Sequence, residues 1–273
     1  MERRKSLFSV LIMALLILFN PFLHTDKVKA MTTVFDTESL KSAINSNESD
    51  ITIGESFYLT EEIILEGKTI VINGDGETIT ATDDISNQMF IVSGNSNIEF
   101  KNITLNGNDK TSGIWQNNSN LTLNNVSMEN FISAGNPEEH SLSNGGAINS
   151  LDSNLIVTNS TFTSTASGKI AFAGGFINIA GQKANSTITE STFTGLGQGD
   201  NLSMATHGGA ICFETGIGGT HTIDSCKFTD LSATDTGGAI SIGTRKNELY
   251  YQKRDENGND IRISPDSSGN VTI

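Results

Sequence analysis

A four-residue string, Gly-Gly-Ala-Ile, occurs three times in the chain, beginning at Gly145, Gly208 and Gly237. A relaxed copy, Gly-Gly-Phe-Ile, begins at Gly174, so that the four starts are 29, 34 and 29 residues apart. Repetition at such a period is typical of proteins that stack one structural unit many times. The sequence therefore predicts a solenoid. The motif positions are Gly145, Gly146 and Ile148; Gly174, Gly175 and Ile177; Gly208, Gly209 and Ile211; and Gly237, Gly238 and Ile240.

A second motif alternates with the first and reads apolar, any, small polar, any, polar, apolar. Its copies are Phe100–Leu105, Leu123–Met128, Val157–Phe162, Ile188–Phe193 and Ile223–Phe228. If successive repeats lie in register, equivalent residues form columns. We expect one inward column of Ile148, Ile177, Ile211 and Ile240, and another of Leu105, Met128, Phe162, Phe193 and Phe228. Asn102, Asn125 and Asn159 share the small polar position and predict a partial ladder of amides.

From Ile51 onward the chain consists of short runs rich in β-branched residues, separated by turn residues, without a helical period. The fold class predicted is all-β, a single-stranded right-handed parallel β-helix with a short N-terminal capping helix. Asp36 or Thr37 can cap that helix, which would carry Leu40, Ala43 and Ile44 on one face. The predicted boundaries are a signal peptide over 1–30, a cap over 31–50, the β-helix over 51–244, and a tail over 245–273 that is either a partial cap or a truncated coil.

The first residues have the pattern of a secretory signal peptide. Arg3, Arg4 and Lys5 precede the apolar run Leu7–Phe19, and Val28-Lys29-Ala30 fits a cleavage site. The alternative is an uncleaved anchor. No later segment is apolar enough to span a bilayer, so a secreted or cell-surface location is expected.

The net charge and the cysteine content exclude several classes of partner and of stabilising bond. The net charge of −14 argues against nucleic acid and anionic lipid as partners. Two cysteines, Cys212 and Cys226, do not make a disulfide framework, and no bridge between them is expected. No metal and no cofactor are predicted.

The repeats resemble those of the polymorphic outer-membrane proteins, in which Gly-Gly-Ala-[Ile/Leu/Val] alternates with Phe-x-x-Asn, and those of adhesin-like β-helix proteins. Phe162, Phe193 and Phe228 stand at the Phe position, although none is followed by the Asn. The stretch Lys68–Ile79 is similar to the first coils of pectate-lyase-like proteins. The resemblance implies a right-handed parallel β-helix exposed at the cell surface or outside the cell, and it implies adhesion loosely.

The rival interpretation is a polysaccharide lyase or glycoside hydrolase on the same fold. A lyase needs carboxylates for Ca²⁺ and a basic residue, yet no arginine lies between Arg4 and Arg245. A hydrolase needs two opposed carboxyl groups, and the only Asp-Asp pair is Asp83-Asp84. No catalytic residue is therefore predicted. We expect a non-enzymatic, adhesin-like protein that binds carbohydrate or a host or cell-surface protein, in an unknown oligomeric state; the other alternative is a structural spacer or fragment.

Five single residues complete the expectations. Trp115 is aligned with Ile148 and is predicted to point into the core. Cys212 is predicted to face outward, in one column with Asn149, Asn178 and Ser241. His207 and His221, like His140, are predicted to lie in solvated turns because Gly, Ser and Thr surround them.

Overall fold

The computed structural model describes residues 31–133, 144–165, 170–197, 204–214, 216–243, 252–254, 260–262 and 270–273. The predicted signal peptide and His140 lie outside these residues, as does most of the predicted tail. The described chain is all-β with one helix, and its strands form parallel sheets. This arrangement is compatible with the predicted β-helix.

The first and largest sheet takes strands from nearly the whole described chain. Its main path consists of Thr32–Val34, Asp50–Ile53, Thr69–Asn73, Asn97–Asn106, Asn120–Glu129, Asn154–Thr158, Asn185–Thr189, Thr220–Asp224 and Asn270–Thr272. Five further strands join its edge: Phe57–Leu59, Thr78–Ala81, Thr161–Thr163, Thr192–Thr194 and Lys227–Thr229.

Three smaller sheets hold the remaining described strands. The second sheet consists of Ile63–Glu66, Gln88–Ser93, Ser112–Asn117, Ile148–Leu151, Ile177–Ala180, Ile211–Phe213 and Ile240–Ile242. The third consists of Ala171–Ala173, Ala205–His207 and Ala233–Thr236, and the fourth of Gln252–Arg254 and Asp260–Arg262. The fourth is antiparallel, whereas the other described strand pairs are parallel.

The pairing register advances by one sequence repeat per strand, which confirms the predicted columns. Ile148 pairs with Ile177, Ile177 with Ile211 and Ile211 with Ile240. The other column runs through Leu105, Met128, Phe162, Phe193 and Phe228 in the same way. Most members are fully buried, and only Ile240 and Phe228, at the last repeat, are half-buried. The hydrophobic core is therefore a set of continuous apolar rows.

The aromatic row packs face to face. The ring centroids of Phe162 and Phe193 are 4.7 Å apart, and those of Phe193 and Phe228 are 5.0 Å apart, with rings tilted by only 12° and 6°. These distances match the spacing of neighbouring strands, so register alone brings the rings into contact. The row fixes the position of the polar residues on either side of each Phe.

The glycine pairs form the corners that precede the second sheet. Gly174 has a φ of +63°, and a Cβ there would collide with the carbonyl oxygen of Ile177. A Cβ on the following Gly175 would collide with the carbonyl oxygen of Gly209 in the next repeat. Glycine is required at the first position by conformation and at the second by close stacking.

The helix spans Thr37–Asn45 at the N-terminal end of the described chain, as predicted. The Asp36 carboxylate caps it by accepting a hydrogen bond from the Ser39 amide at 2.7 Å. Leu40, Ala43 and Ile44 are buried in the core. The sequence did not predict the strand Thr32–Val34, which precedes the helix and pairs in parallel with Asp50–Ile53.

Candidate functional site

The outer face of the first sheet presents one side chain per repeat in each of five columns, which together we call the polar face. The columns are Asn97, Asn120, Asn154 and Asn185; Glu99, Thr122, Ile156, Thr187 and Thr222; Lys101, Asn124, Thr158, Thr189 and Asp224; Thr78, Thr104, Ser127, Thr161, Thr192 and Lys227; and Thr80, Asn106, Glu129, Thr163, Thr194 and Thr229. All of these side chains are exposed or half-buried. They alternate with core residues because successive side chains of a strand point to opposite sides.

Hydrogen bonds between neighbouring repeats fix the orientation of the amides. Asn185 Nδ2 donates to Asn154 Oδ1 at 3.1 Å, and Asn154 Nδ2 donates to Asn120 Oδ1 at 2.7 Å. This ladder was missed by the sequence analysis, although each Asn stands three residues before a copy of the second motif. Such side chains lose little further freedom when they bind a ligand, because they are already ordered.

The predicted ladder at the small polar position is present in part. Asn125 Nδ2 donates to Asn102 Oδ1 at 2.9 Å, and Asn102 Nδ2 donates to Asn73 Oδ1 at 3.1 Å. Asn159 stands at the equivalent position of the next repeat, and Glu190 follows it. All of these ladder positions after Asn73 have a positive φ, between 49° and 56°. The chain bends here, and Asn tolerates this conformation well.

Two adjacent repeats make the centre of the polar face nearly free of charge. The outward side chains of Asn154–Thr163 and Asn185–Thr194 are amides, hydroxyls and Ile156, and only Glu190 at the bend carries a charge. Ile156 is 45 % exposed. A depression of about 350 Å³ lies here, lined by residues from the four repeats that contain Asn97, Asn120, Asn154 and Asn185. The centre can therefore offer hydrogen bonds and methyl contacts to a neutral ligand.

The sequence-predicted motif residues lie behind this face rather than on it. Phe162 and Phe193 are fully buried, and their flanking Thr residues point outward. The glycine pairs form the corners described above. These residues position the polar face without contributing a side chain to it.

Trp115 was predicted to point inward, and this prediction was wrong. Ile114, not Trp115, pairs with Ile148, while Trp115 pairs with Ile91 and Asn149 on the outer side of the second sheet. Ile114 is 1 % exposed and Trp115 is half-buried. The repeat at Ser112-Gly113 lacks the Gly-Gly pair, and a shift of one residue in the alignment reverses the face on which every side chain lies.

The prediction of solvated histidines was also wrong for both described residues. His221 is fully buried; its Nδ1 lies 3.0 Å from Ser186 Oγ and its Nε2 lies 2.8 Å from the carbonyl oxygen of Gly218. His207 is 1 % exposed, and its Nδ1 lies 2.8 Å from Thr236 Oγ1. Burial lowers the pKa of His221. The small residues around each histidine mark packing between repeats rather than open turns.

Cys212 stands in the predicted column with Asn178 and Ser241 but does not face solvent. It is fully buried, and the hydroxyl of its column neighbour Ser241 lies 3.0 Å from Thr236 Oγ1. Burial, and secondarily the Glu214 carboxylate, raises the pKa of the Cys212 thiol. Both cysteines are free thiols, as expected. Cys212 is thus unsuited to nucleophilic chemistry.

A buried carboxyl group lies beside Cys212 and was not foreseen. Glu214 Oε1 accepts hydrogen bonds from Asn144 Nδ2 at 2.7 Å and from Asn178 Nδ2 at 2.8 Å. Burial raises the pKa of Glu214 to about 7, against the opposing effect of these two hydrogen bonds. Asn178 also donates to Asn149 Oδ1 at 3.1 Å. The only signal in the sequence is a carboxylate two residues after Cys212, directly after a strand that is free of charge.

The residues considered for catalysis do not come together. Asp83 and Asp84 are exposed in a turn, and Lys110 Nζ lies 3.9 Å from Asp83 Oδ1. Over the described ranges, no three His, Cys, Asp or Glu side chains are grouped so as to hold a metal ion. The same part of the chain contains no helix long and apolar enough to cross a membrane.

Comparison of the chain with protein-family models, with curated proteins and with solved structures found no match.

Proposed function

We propose that the chain is an exported right-handed parallel β-helix that binds a neutral polysaccharide along the polar face, in the manner of an adhesin. The β-helix is supported by the one-repeat register of the sheets. Export is supported by the pattern of residues 1–30. The single observation that carries the binding proposal is the hydrogen-bonded surface of Asn154–Thr163 and Asn185–Thr194, which has only Glu190 as a charged group in a chain of net charge −14.

Neutral polysaccharide fits this surface for two reasons. Amides and hydroxyls can both donate and accept hydrogen bonds, as sugar hydroxyls do, and the Thr methyls with Ile156 provide apolar contact for the C–H faces of sugar rings. Neighbouring rungs repeat at about 4.8 Å along the columns, so a polymer can meet equivalent groups several times. A polyanionic glycan would instead encounter the net negative charge of the protein.

The test is a glycan array probed with the purified protein. The array should contain neutral glucans, galactans and chitin oligosaccharides beside polygalacturonate and heparin. The double variant Thr161→Val, Thr192→Val removes two neighbouring hydroxyls of one column while keeping β-branched side chains. Thr82→Val, in a turn outside the five columns, is the matched control.

We expect binding to at least one neutral polysaccharide, weakened about tenfold by the double variant, because each lost hydrogen bond contributes about 0.5–1.5 kcal/mol. Thr82→Val should bind as the wild type does. Equal binding by the double variant, preference for the polyanions, or no binding to any neutral glycan would refute the proposal.

A further inference from the structure

The surroundings of Glu214 contain more hydrogen-bond acceptors than donors. Asn144 and Asn178 each direct Nδ2 at Glu214 Oε1, at 2.7 Å and 2.8 Å. The Oδ1 atoms of both amides are buried and have no hydrogen-bond partner. Asn178 is itself only 1 % exposed, so no rotation within its site brings it to bulk water. The two side chains whose nitrogens bind the carboxylate thus each carry a buried oxygen without a hydrogen-bond donor.

Such an arrangement lowers the stability of the fold unless a ligand binds there. A buried acceptor without a donor destabilises the fold by about 1–3 kcal/mol, and native proteins contain few of them. If both amides turned their oxygens toward Glu214, an ion bound there would accept electron pairs from the carboxylate and from both amide oxygens. Carboxylate and amide oxygens are the ligands that Ca²⁺ prefers.

We propose that Glu214, Asn144 and Asn178 form a Ca²⁺ site, distinct from the polar face and independent of the function proposed for it. Half a turn of either amide about its terminal bond exchanges Oδ1 and Nδ2, which occupy nearly the same shape. For Asn178 the turn also breaks the hydrogen bond to Asn149 Oδ1, so the Asn149 amide has to turn with it. Each amide oxygen would then lie where its nitrogen lies now, close to 3 Å from the carboxylate oxygen. Oxygens that share one Ca²⁺ ion at 2.3–2.6 Å are themselves about 3 Å apart, so little movement of the backbone is needed.

Ca²⁺ is favoured over Mg²⁺ because the ligands come from three separate segments. Asn144 precedes the corner at Gly145, Asn178 lies in Ile177–Ala180, and Glu214 follows Ile211–Phe213. Ca²⁺ accepts irregular geometry, whereas Mg²⁺ demands a near-ideal octahedron and keeps most of its water. The bound ion would connect three successive repeats, and this departs from the expectation that the chain binds no metal.

The experiment uses the purified protein, stripped with a chelator and exchanged into metal-free buffer, and titrates it with Ca²⁺ and, in a separate run, with Mg²⁺. Calorimetry gives the stoichiometry and affinity, and thermal unfolding with and without Ca²⁺ gives the effect on Tm. Glu214→Gln and Asn144→Ala are the test variants. Glu62→Gln, a half-buried carboxyl group at the other end of the second sheet, is the matched control.

We expect one equivalent of Ca²⁺ to bind wild type and Glu62→Gln and to raise Tm by several degrees. Affinity should fall at least 100-fold in Glu214→Gln and at least tenfold in Asn144→Ala. If Glu214→Gln does not fold, Asn144→Ala decides, since Asn144 is only half-buried. The proposal is overturned if wild type gives no heat and no Tm shift, if both variants bind as wild type does, or if Mg²⁺ binds as tightly as Ca²⁺.

Discussion

The buried carboxyl group of Glu214 makes the stability of the metal-free protein depend on pH. Burial raises its pKa from 4.5 to about 7 in the folded protein. Because the unfolded chain releases this proton near pH 4.5, the contribution of Glu214 to stability is greatest below that pH, falls as pH rises, and reaches its lower level above pH 7. The shift corresponds to a loss of about 3 kcal/mol across this range.

Glu214→Gln isolates this contribution. Glutamine has nearly the same shape, its oxygen can accept from Asn178 or Asn144, and it does not ionise between pH 4 and 9. We expect the variant and the wild type to have similar free energies of unfolding near pH 4.5. Above pH 7 the variant should be more stable by about 3 kcal/mol, since only the wild type then bears a buried charge.

The assay is urea unfolding followed by far-ultraviolet circular dichroism at half-unit steps of pH from 4.5 to 8.5, with a chelator present throughout. The quantity compared is the difference in unfolding free energy between the two proteins at each pH, which cancels the titration of all other groups. A difference that stays constant across the range, or that changes with the opposite sign, would show that Glu214 is ionised at a normal pKa and that the buried geometry is misassigned.

Three further predictions test the assignment of corners and faces. Gly208→Ala should lower the free energy of unfolding by about 2 kcal/mol or more, because φ is +62° and the new Cβ would meet backbone; urea unfolding checks this, and a neutral result contradicts the corner. Ile114→Ala should lower the free energy of unfolding by about 2–5 kcal/mol and Trp115→Ala by clearly less. If Trp115→Ala lowered the free energy of unfolding more than Ile114→Ala, measured in the same way, Trp115 rather than Ile114 would belong to the core. A thiol reagent should modify Cys226, which is half-buried, in the native protein, and Cys212 only after unfolding in guanidinium chloride; rapid native labelling of both would count against the buried column.

Periodicity predicted the parts of the fold that depend on register alone. The Ile and Phe columns follow once copies of a motif are placed above one another, because each strand alternates inward and outward. The capping helix followed from Asp36 and the apolar spacing of Leu40 and Ile44. The signal peptide, the domain boundaries and the partners remain predictions.

The sequence did not predict the environment of residues outside the motifs. The repeat containing Trp115 has a degenerate corner, so nothing in the sequence fixed its phase. His221 takes the inward place that Ser186 has in the preceding repeat. The imidazole is much larger than the serine side chain, and the motifs give no sign of this change. The surroundings of Glu214 include a residue distant in sequence, Asn144, whose amide donates a hydrogen bond to its carboxylate.

Stacking in register also explains why the two proposed sites differ in kind. A residue type retained in every repeat becomes a column, as for the amides at Asn120, Asn154 and Asn185, and a column is suited to an extended ligand that repeats as well. A residue that differs in type from the others in its column creates a distinct chemical environment in one repeat only. Glu214 follows Phe213, which pairs with Ile179, so Glu214 takes the place that Ala180 has one repeat earlier. Exchange of a buried alanine for a carboxyl group serves no packing purpose and destabilises the ion-free protein at neutral pH, which favours a compensating ligand at that one position.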